Sequence, residues 1–409
     1  MKLPQFTTAL VLLLSEYAVQ SFPLGGWTPR HLSRTGSENQ LFDIAYGNSR
    51  FVAVGRTLQT NGLFESSLSL TSTDAVSWAQ ASSIIDQRQG EEDFPHGIAY
   101  GNGQFVAVSS SGRILTSADG TTWSQRQIEA ANAYVSLGPI THANGQFFVL
   151  GSARDILTDR VNGFLLTSAD QTNWLLRQSG AIDFSIRSIT YGAGQFVGVG
   201  GGWRDILRNP GSHYNTIVTS TDGIVWIQRQ AGTSYMLTDV VYAEGQFVAV
   251  GSPDTVITST DGVNWVQRRS GTQSGFGAIA YGNGQFVAAG DSIVSSTDGV
   301  TWIEHTFDSQ YGSLYGVAFG NGRFVAAGDS GAILESGTVV NLAITRNVGT
   351  GALSLSLAGP TGFDYAIQTS SDLISWRGVT TVSNAASTKI ILDVLPATSD
   401  RQFYRAISQ

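Results

Sequence analysis

Apolar residues recur along this chain in short blocks, each flanked by a turn signature. The block Phe105-Val106-Ala107-Val108 follows Asn102-Gly103-Gln104 and precedes a polar break and then Arg113-Ile114-Leu115-Thr116-Ser117. Runs this short, rich in Val, Ile and Phe and bounded by Gly, Asn and Asp, predict strands, not helices. Asn-Gly and Asp-Gly are favoured pairs for tight hairpin turns. In the stretch 98–126 the pattern predicts four strands, at 98–100, 105–108, 113–117 and 122–126.

That unit repeats. Ile98-Ala99-Tyr100-Gly101-Asn102-Gly103-Gln104-Phe105-Val106-Ala107-Val108 recurs from Ile279 to Ala289 and, with changes, from Val317 to Ala327. The Phe after the glycine turn marks seven copies: Phe51, Phe105, Phe147, Phe196, Phe247, Phe286 and Phe324. A second motif, Ser117-Ala118-Asp119-Gly120-Thr121-Thr122-Trp123, has counterparts ending at Trp78, Trp174, Trp226, Trp265 and Trp302. That makes six, one short of seven. The missing tail stands at the other end, in Gly25-Gly26-Trp27-Thr28-Pro29-Arg30, while the seventh copy stops at Ile333-Leu334-Glu335-Ser336. An N-terminal strand that completes the last unit implies a closed ring; a solenoid would keep two caps. Four strands per copy and seven copies predict an all-β seven-bladed β-propeller closed by an N-terminal strand, over 22–337.

The S-x-D-G-x-x-W motif resembles the Asp-box of sialidase-like and related secreted propellers, although the usual box is one residue longer. The resemblance covers 26–337 and implies a structural hairpin between the third and fourth strands. The carboxylate can accept hydrogen bonds from turn N–H groups, and the indole can plug the gap between blades. Asp119, Asp222, Asp261 and Asp298 are therefore read as turn builders, not catalytic acids. Residues 338–409 lack the repeat. Their stretches 365–376 and 403–406 resemble a small C-terminal β-sandwich common on secreted bacterial proteins.

Composition narrows the chemistry. The chain has 409 residues and no cysteine, which excludes disulfides, cysteine metal sites and a cysteine nucleophile. A net charge of −8 with dispersed basic residues argues against nucleic acid. Only two lysines, Lys2 and Lys389, accompany the arginines, so lysine chemistry in the body of the chain is not expected. Met1-Lys2 followed by the apolar run 9–14 reads as a secretory signal over 1–21, too short to span a bilayer. A secreted or periplasmic monomer without a transmembrane segment is the expectation.

The spacing from each anchor Phe to its own Trp is 16–18 residues in blades two, five and six, but 27–30 in blades one, three and four. The extra residues fall between the second and third strands, so insertions crowd one face of the ring. Insertions on one face mark a binding face. They supply candidate ligand-binding residues: Arg154 in blade three and Trp203, Arg204, His213 and Tyr214 in blade four, joined by Tyr315 near the axis. Arg-Asp-Ile-Leu occurs in both insertions, at 154–157 and 204–207, either as a local ion pair or as a guanidinium rim for an acidic or sugar-like ligand.

Repeat alignment places Asp43 and Asp239 at the start of the innermost strands, with His96 one position earlier in its blade. Asp291 and Asp329 follow second strands on the same face. Oxygen ligands converging on an axial hole suit Ca²⁺, so Asp43, Asp239, Asp291 and Asp329 are candidate calcium ligands. Two functions then compete. One is an extracellular hydrolase of a small lactone or ester, similar at fold level to lactonase-type propellers. Asp43, Asp239 or His96 would be the base, and calcium would steady the oxyanion. The other is a non-catalytic propeller that binds a glycan or cell-surface material. Gly328-Asp329-Ser330-Gly331 and Gly290-Asp291-Ser292-Ile293 resemble hydrolase nucleophile motifs but occupy one repeat turn, so they read as turn sequence.

Overall fold

The computed structural model describes residues 27–31, 37–59, 64–81, 84–85, 93–128, 132–159, 161–177, 186–203, 213–230, 232–305, 307, 309–337, Leu12–Leu13 and strands within 341–408. Seven four-stranded antiparallel sheets follow one another as the blades of a β-propeller. Blade 1 is Ser37–Gly47, Arg50–Gln59, Phe64–Ser72 and Ala79–Ala81. Blade 2 is Pro95–Gly101, Gln104–Ser109, Arg113–Ser117 and Ser124–Gln127. Blades 3 to 6 begin at Ala133–Ala143, Ile186–Gly192, Met236–Ala243 and Phe276–Gly282. Blade 7 contributes Leu314–Gly320, Arg323–Gly328 and Ile333–Glu335, with Thr28–His31 antiparallel to the last of these.

The second strand of each blade is apolar at consecutive positions because both of its faces meet a neighbouring blade. Phe51 to Val54, Phe247 to Val250 and Phe324 to Ala327 are fully buried. The core is accordingly a series of slabs between blades. One slab joins Val325, Ala327 and Ile333 of blade 7 to Phe51, Leu68 and Leu70 of blade 1, so the last blade packs on the first. Each blade's Trp borders the slab shared with the preceding blade. Trp27 occupies that place between blades 6 and 7, among Val287, Phe324 and Leu334.

Two local rules recur. At the inner edge, the Tyr-Gly pair lets one blade's ring lie on the glycine of the blade before it. A Cβ on Gly47 would stand 2.0 Å from the Tyr100 ring. His142 fills the tyrosine place in blade 3, over Gly101 and 4.7 Å from Phe147. In the outer hairpins, Asp119 accepts the N–H groups of Thr121 and Thr122 at 2.8 and 2.9 Å, and Trp123 Nε1 donates to the Gly120 carbonyl. Asp74, Asp170, Asp222, Asp261 and Asp298 do the same in their blades. Ala75 and Gln171 adopt φ of 62° and 61° where the other turns use Gly, so the turn survives the substitution.

Among the described residues, the extra residues of blades 1, 3 and 4 lengthen the second and third strands, which reach Gln59 and Phe64 in blade 1 and Trp203 and His213 in blade 4. In blade 3 the second and third strands are Gln146–Asp155 and Val161–Ser168, joined by a short turn. After the propeller, Asn341–Arg346, Leu353–Ala358 and Thr388–Leu392 form one sheet. Asp364–Ser370, Arg377–Ser383 and Phe403–Ser408 form another, with Leu12–Leu13 paired to its edge. The rest of the expected signal segment lies outside the described residues. Among the described residues no helix is long and apolar enough to cross a membrane.

Candidate functional site

Every first strand carries a β-bulge, where pairing with the second strand slips by one residue. The slips fall between Leu41 and Asp43, Pro95 and Gly97, Ile186 and Ser188, Leu237 and Asp239, and Leu314 and Gly316, with counterparts in blades 3 and 6. A bulge bends the strand and re-aims the extra side chain. The bulged residues include Phe42, His96, Arg187, Thr238 and Tyr315. They ring the axis on the face that carries the connections between second and third strands.

Asp43 and Asp239 follow their bulges and act as clasps between blades. Asp43 Oδ1 accepts the N–H of Ile44 at 2.8 Å, and Oδ2 accepts that of Ile98 in blade 2 at 2.9 Å. Asp239 does the same with Val240 and with Ile279 of blade 6, both at 2.8 Å. Gly316 gives Asp43 room, since a Cβ there would lie 2.9 Å from the Asp43 Cα. Burial pushes the Asp43 carboxyl up to about 7 against the pull of its two backbone hydrogen bonds, and Asp239 adds repulsion. Burial also raises Asp239. His96 is held below the ordinary imidazole range by burial.

The aspartates expected to meet at one ion occupy two separate settings. Asp291 and Asp329 are joined through Ser313, whose Oγ donates to Asp291 Oδ1 at 2.5 Å and whose N–H donates to Asp329 Oδ2 at 3.3 Å. Asp43 and Asp239 spend their oxygens on backbone amides. Among the described residues no three His, Asp or Glu side chains are grouped to hold a metal ion. This donor arrangement does not fit a calcium ion.

What the fold does assemble is an aromatic and charged patch across blades 6, 7, 1 and 2. The Tyr315 hydroxyl donates to Asp329 Oδ2 at 2.9 Å, and its ring centroid lies 6.2 Å from that of Phe42. Phe42 stacks on Phe94 at 5.4 Å. The Arg56 guanidinium lies 4.7 Å from the Phe94 centroid and 5.6 Å from that of Phe42. Gln40 accepts Arg56 Nε at 2.8 Å and reaches Asp329 Oδ1 at 3.5 Å. Tyr315 is 39% exposed. Burial raises its phenol to about 12, with the hydrogen bond to Asp329 acting in the same direction.

Arg56, Phe42, Phe94 and Gln40 escaped the sequence reading. One signal could have found Arg56. Arg56, Asp291 and Asp329 each follow the second-strand glycine that pairs with the residue just before the bulge, at Gly55, Gly290 and Gly328. Aligning that position for every residue type, and not for aspartate alone, gives acid, acid and arginine in three consecutive blades.

The other expected ligand residues are scattered. Arg154 is exposed and pairs with Asp159 at 2.5 Å, while Asp155 caps its own turn at Leu157 and Thr158. Trp203 and His213 are cross-strand partners, as are Gly202 and Tyr214, at the far end of blade 4. Arg204 lies outside the described residues.

No family model matches the chain, and no curated protein matches it. Solved propellers do. YCF48 bound to D1 peptide is 15% identical with a TM-score of 0.54, covering 78% of this chain and 97% of its own. A virginiamycin B lyase from Staphylococcus aureus with quinupristin is 10% identical with a TM-score of 0.56, covering 76% and 98%. The WD40 propeller domain of Doa1 is 12% identical with a TM-score of 0.52, covering 76% and 96%. At such identities the likeness carries the fold alone.

Proposed function

We propose that the chain is a non-catalytic recognition propeller that binds a peptide segment bearing a basic residue across the axial mouth. The observation that carries this reading is the patch of Tyr315, Phe42, Phe94 and Arg56 bordered by Asp291 and Asp329. Tyrosine and arginine dominate binding hot spots because each offers large contact area with a polar handle. Two carboxylates on one side and a guanidinium on the other suit a chain of mixed charge. A basic side chain would meet Asp329 and Asp291, and an apolar one would lie on Tyr315 and Phe42. Two of the similar propellers hold a peptide and quinupristin, which agrees with such use of the fold.

Selection from a random displayed peptide library tests this. Enrichment of peptides pairing Arg or Lys with an aromatic residue is the expected result, with at least a tenfold loss on Tyr315→Ala. No enrichment over an unrelated propeller would overturn it.

A hydrolase remains a second reading, favoured by one observation: Asp43 is poised near 7 at the axis, where a general base would be effective. Proton release from a panel of lactones and esters, with Ca²⁺ and then with chelator, is its test. Turnover that Asp43→Asn abolishes would support it, and no turnover in either condition would remove it. The wider setting belongs to the proposal too. Residues 1–21 serve as a secretory signal, Thr28–His31 closes the ring, the turns at the six aspartates are Asp-box hairpins, and 338–409 form an attached β-sandwich.

A further inference from the structure

A second recess lies on the same face, away from the axis, between the outer parts of blades 4 and 5. It has a volume of about 560 Å³ and is lined by Gln228, Gln230, Gln267, Asn215, Ser234 and Tyr235, among others. That size falls within the roughly 300–1,000 Å³ of ordinary ligand sites. Its chemistry is unlike that of the axial patch. No carboxylate lines it. Its one cation, Arg229, has Nε committed to Thr219 Oγ1 at 3.0 Å.

The glutamines come from register. Gln228 and Gln267 are the middle residues of the fourth strands Ile227–Arg229 and Val266–Arg268, in neighbouring blades. Both are exposed, as is Gln230. Among the described residues no protein group hydrogen-bonds their amides. Asn215 Nδ2 donates to the Thr233 carbonyl and ties the link between the blades to the third strand of blade 4. The Tyr235 N–H donates to Thr233 Oγ1 at 3.2 Å, which fixes the turn beside the recess, and Tyr235 is 40% exposed.

We infer that this recess is a binding subsite for a neutral oligosaccharide. A primary amide offers a donor and an acceptor in one plane, matching a pair of neighbouring sugar hydroxyls, and three uncommitted amides can read several such pairs. An exposed tyrosine supplies an apolar ring for the C–H face of a pyranose and a hydroxyl at its edge. The lack of carboxylates gives a cationic sugar no counter-charge, and the Nε of Arg229 is already held by Thr219 Oγ1. The site is independent of the axial patch, so either can fail without the other.

Affinity electrophoresis of the whole chain through native gels containing soluble neutral polysaccharides tests the inference. Hydroxyethylcellulose, xylan, glucomannan, mixed-linkage β-glucan and dextran make the neutral panel, with alginate and polygalacturonate as anionic comparisons. Retardation by at least one is expected. Tyr235→Ala and the pair Gln228→Ala with Gln267→Ala should each weaken it at least tenfold. Tyr235→Phe should retain most of it, and Tyr315→Ala should leave it unchanged. These positions are exposed, and unaltered thermal melting would verify that the variants fold. No retardation by any polysaccharide would overturn the inference. So would retardation indifferent to Tyr235→Ala, or retardation lost on Tyr315→Ala, which would move the sugar to the axial mouth. Retardation only by anionic polysaccharides would likewise contradict a neutral ligand.

Discussion

Asp43 illustrates how a residue that reads as catalytic can be structural. Its two oxygens bridge blades 1 and 2, and Asp239 repeats the bridge between blades 5 and 6. Duplication in two separate blades is the mark of an architectural device. Its folded value lies above the ordinary 3.8, so its contribution to stability is full below pH 3.8 and is lost as pH rises through about 7. Replacing it with a neutral isostere removes that loss. The stability of Asp43→Asn relative to wild type should therefore grow by about 2–4 kcal/mol between pH 4 and pH 8, read from urea midpoints at each pH.

His305 acts in the opposite direction. It hydrogen-bonds Ser295 Oγ at 2.7 Å where blades 3, 4 and 5 pair Arg with Thr, as in Arg229 with Thr219. Burial pushes its imidazole from 6.5 down to about 4. Its contribution is full above pH 6.5 and falls away as pH drops toward 4. A loss of about 2–3 kcal/mol across that window is expected, and His305→Gln should flatten it. The sequence revealed where Asp43 stands, because repeat alignment fixes a place along the strand. It did not reveal what its carboxylate meets, because that partner is the backbone of another blade.

At the scale of strands, the joint between the chain's two distant parts is the informative feature. Glu335 is fully buried and accepts Arg30 Nε and Nη2 at 3.0 and 2.7 Å and Arg323 Nη1 at 2.9 Å. Arg30 belongs to the strand Thr28–His31, so this carboxylate ties residues 305 positions apart in sequence. Removing one partner of a buried pair strands the others. Glu335→Ala should cost about 3 kcal/mol in denaturant melts. A double-mutant cycle with Arg30→Ala should give a coupling above ~1 kcal/mol. No coupling would mean that the N-terminal strand contributes nothing to blade 7. Gly316→Ala should cost about 1–3 kcal/mol by pressing on Asp43.

Strand period, turns and copy number were legible because each repeat states the same pattern again. The lengthened strands of blades 1, 3 and 4 were not. The residues at 152–164 alternate too weakly to announce a strand, and only hairpin register carries the pairing from Gly151–Phe164 out to Arg154–Val161. The Arg-Asp-Ile-Leu motif likewise offered two readings. In the first copy its aspartate caps a turn, and its arginine pairs with a different aspartate, Asp159.

Over the whole molecule, the two faces divide the work. One holds the short hairpins, whose aspartates keep their carboxyls low through backbone N–H donors, as Thr122 does for Asp119 and Val225 for Asp222. The other holds the bulges, the patch around Tyr315 and the recess beside Tyr235. The patch is built from residues far apart in sequence, each ordinary within its own repeat. Curvature of the ring brings Arg56, Phe94 and Asp329 to one place, and no window of sequence contains all three. Its acidic side should attract a basic ligand more strongly at low salt, so the affinity of a selected peptide should fall as ionic strength rises.

The most direct measurement is the affinity of a library-selected peptide for wild type, for the double variant Asp291→Asn with Asp329→Asn, and for Asp43→Asn. Recognition at the axial mouth predicts at least a tenfold loss in the double variant and an unchanged affinity in Asp43→Asn. Full affinity in the double variant, or a loss confined to Asp43→Asn, would contradict it.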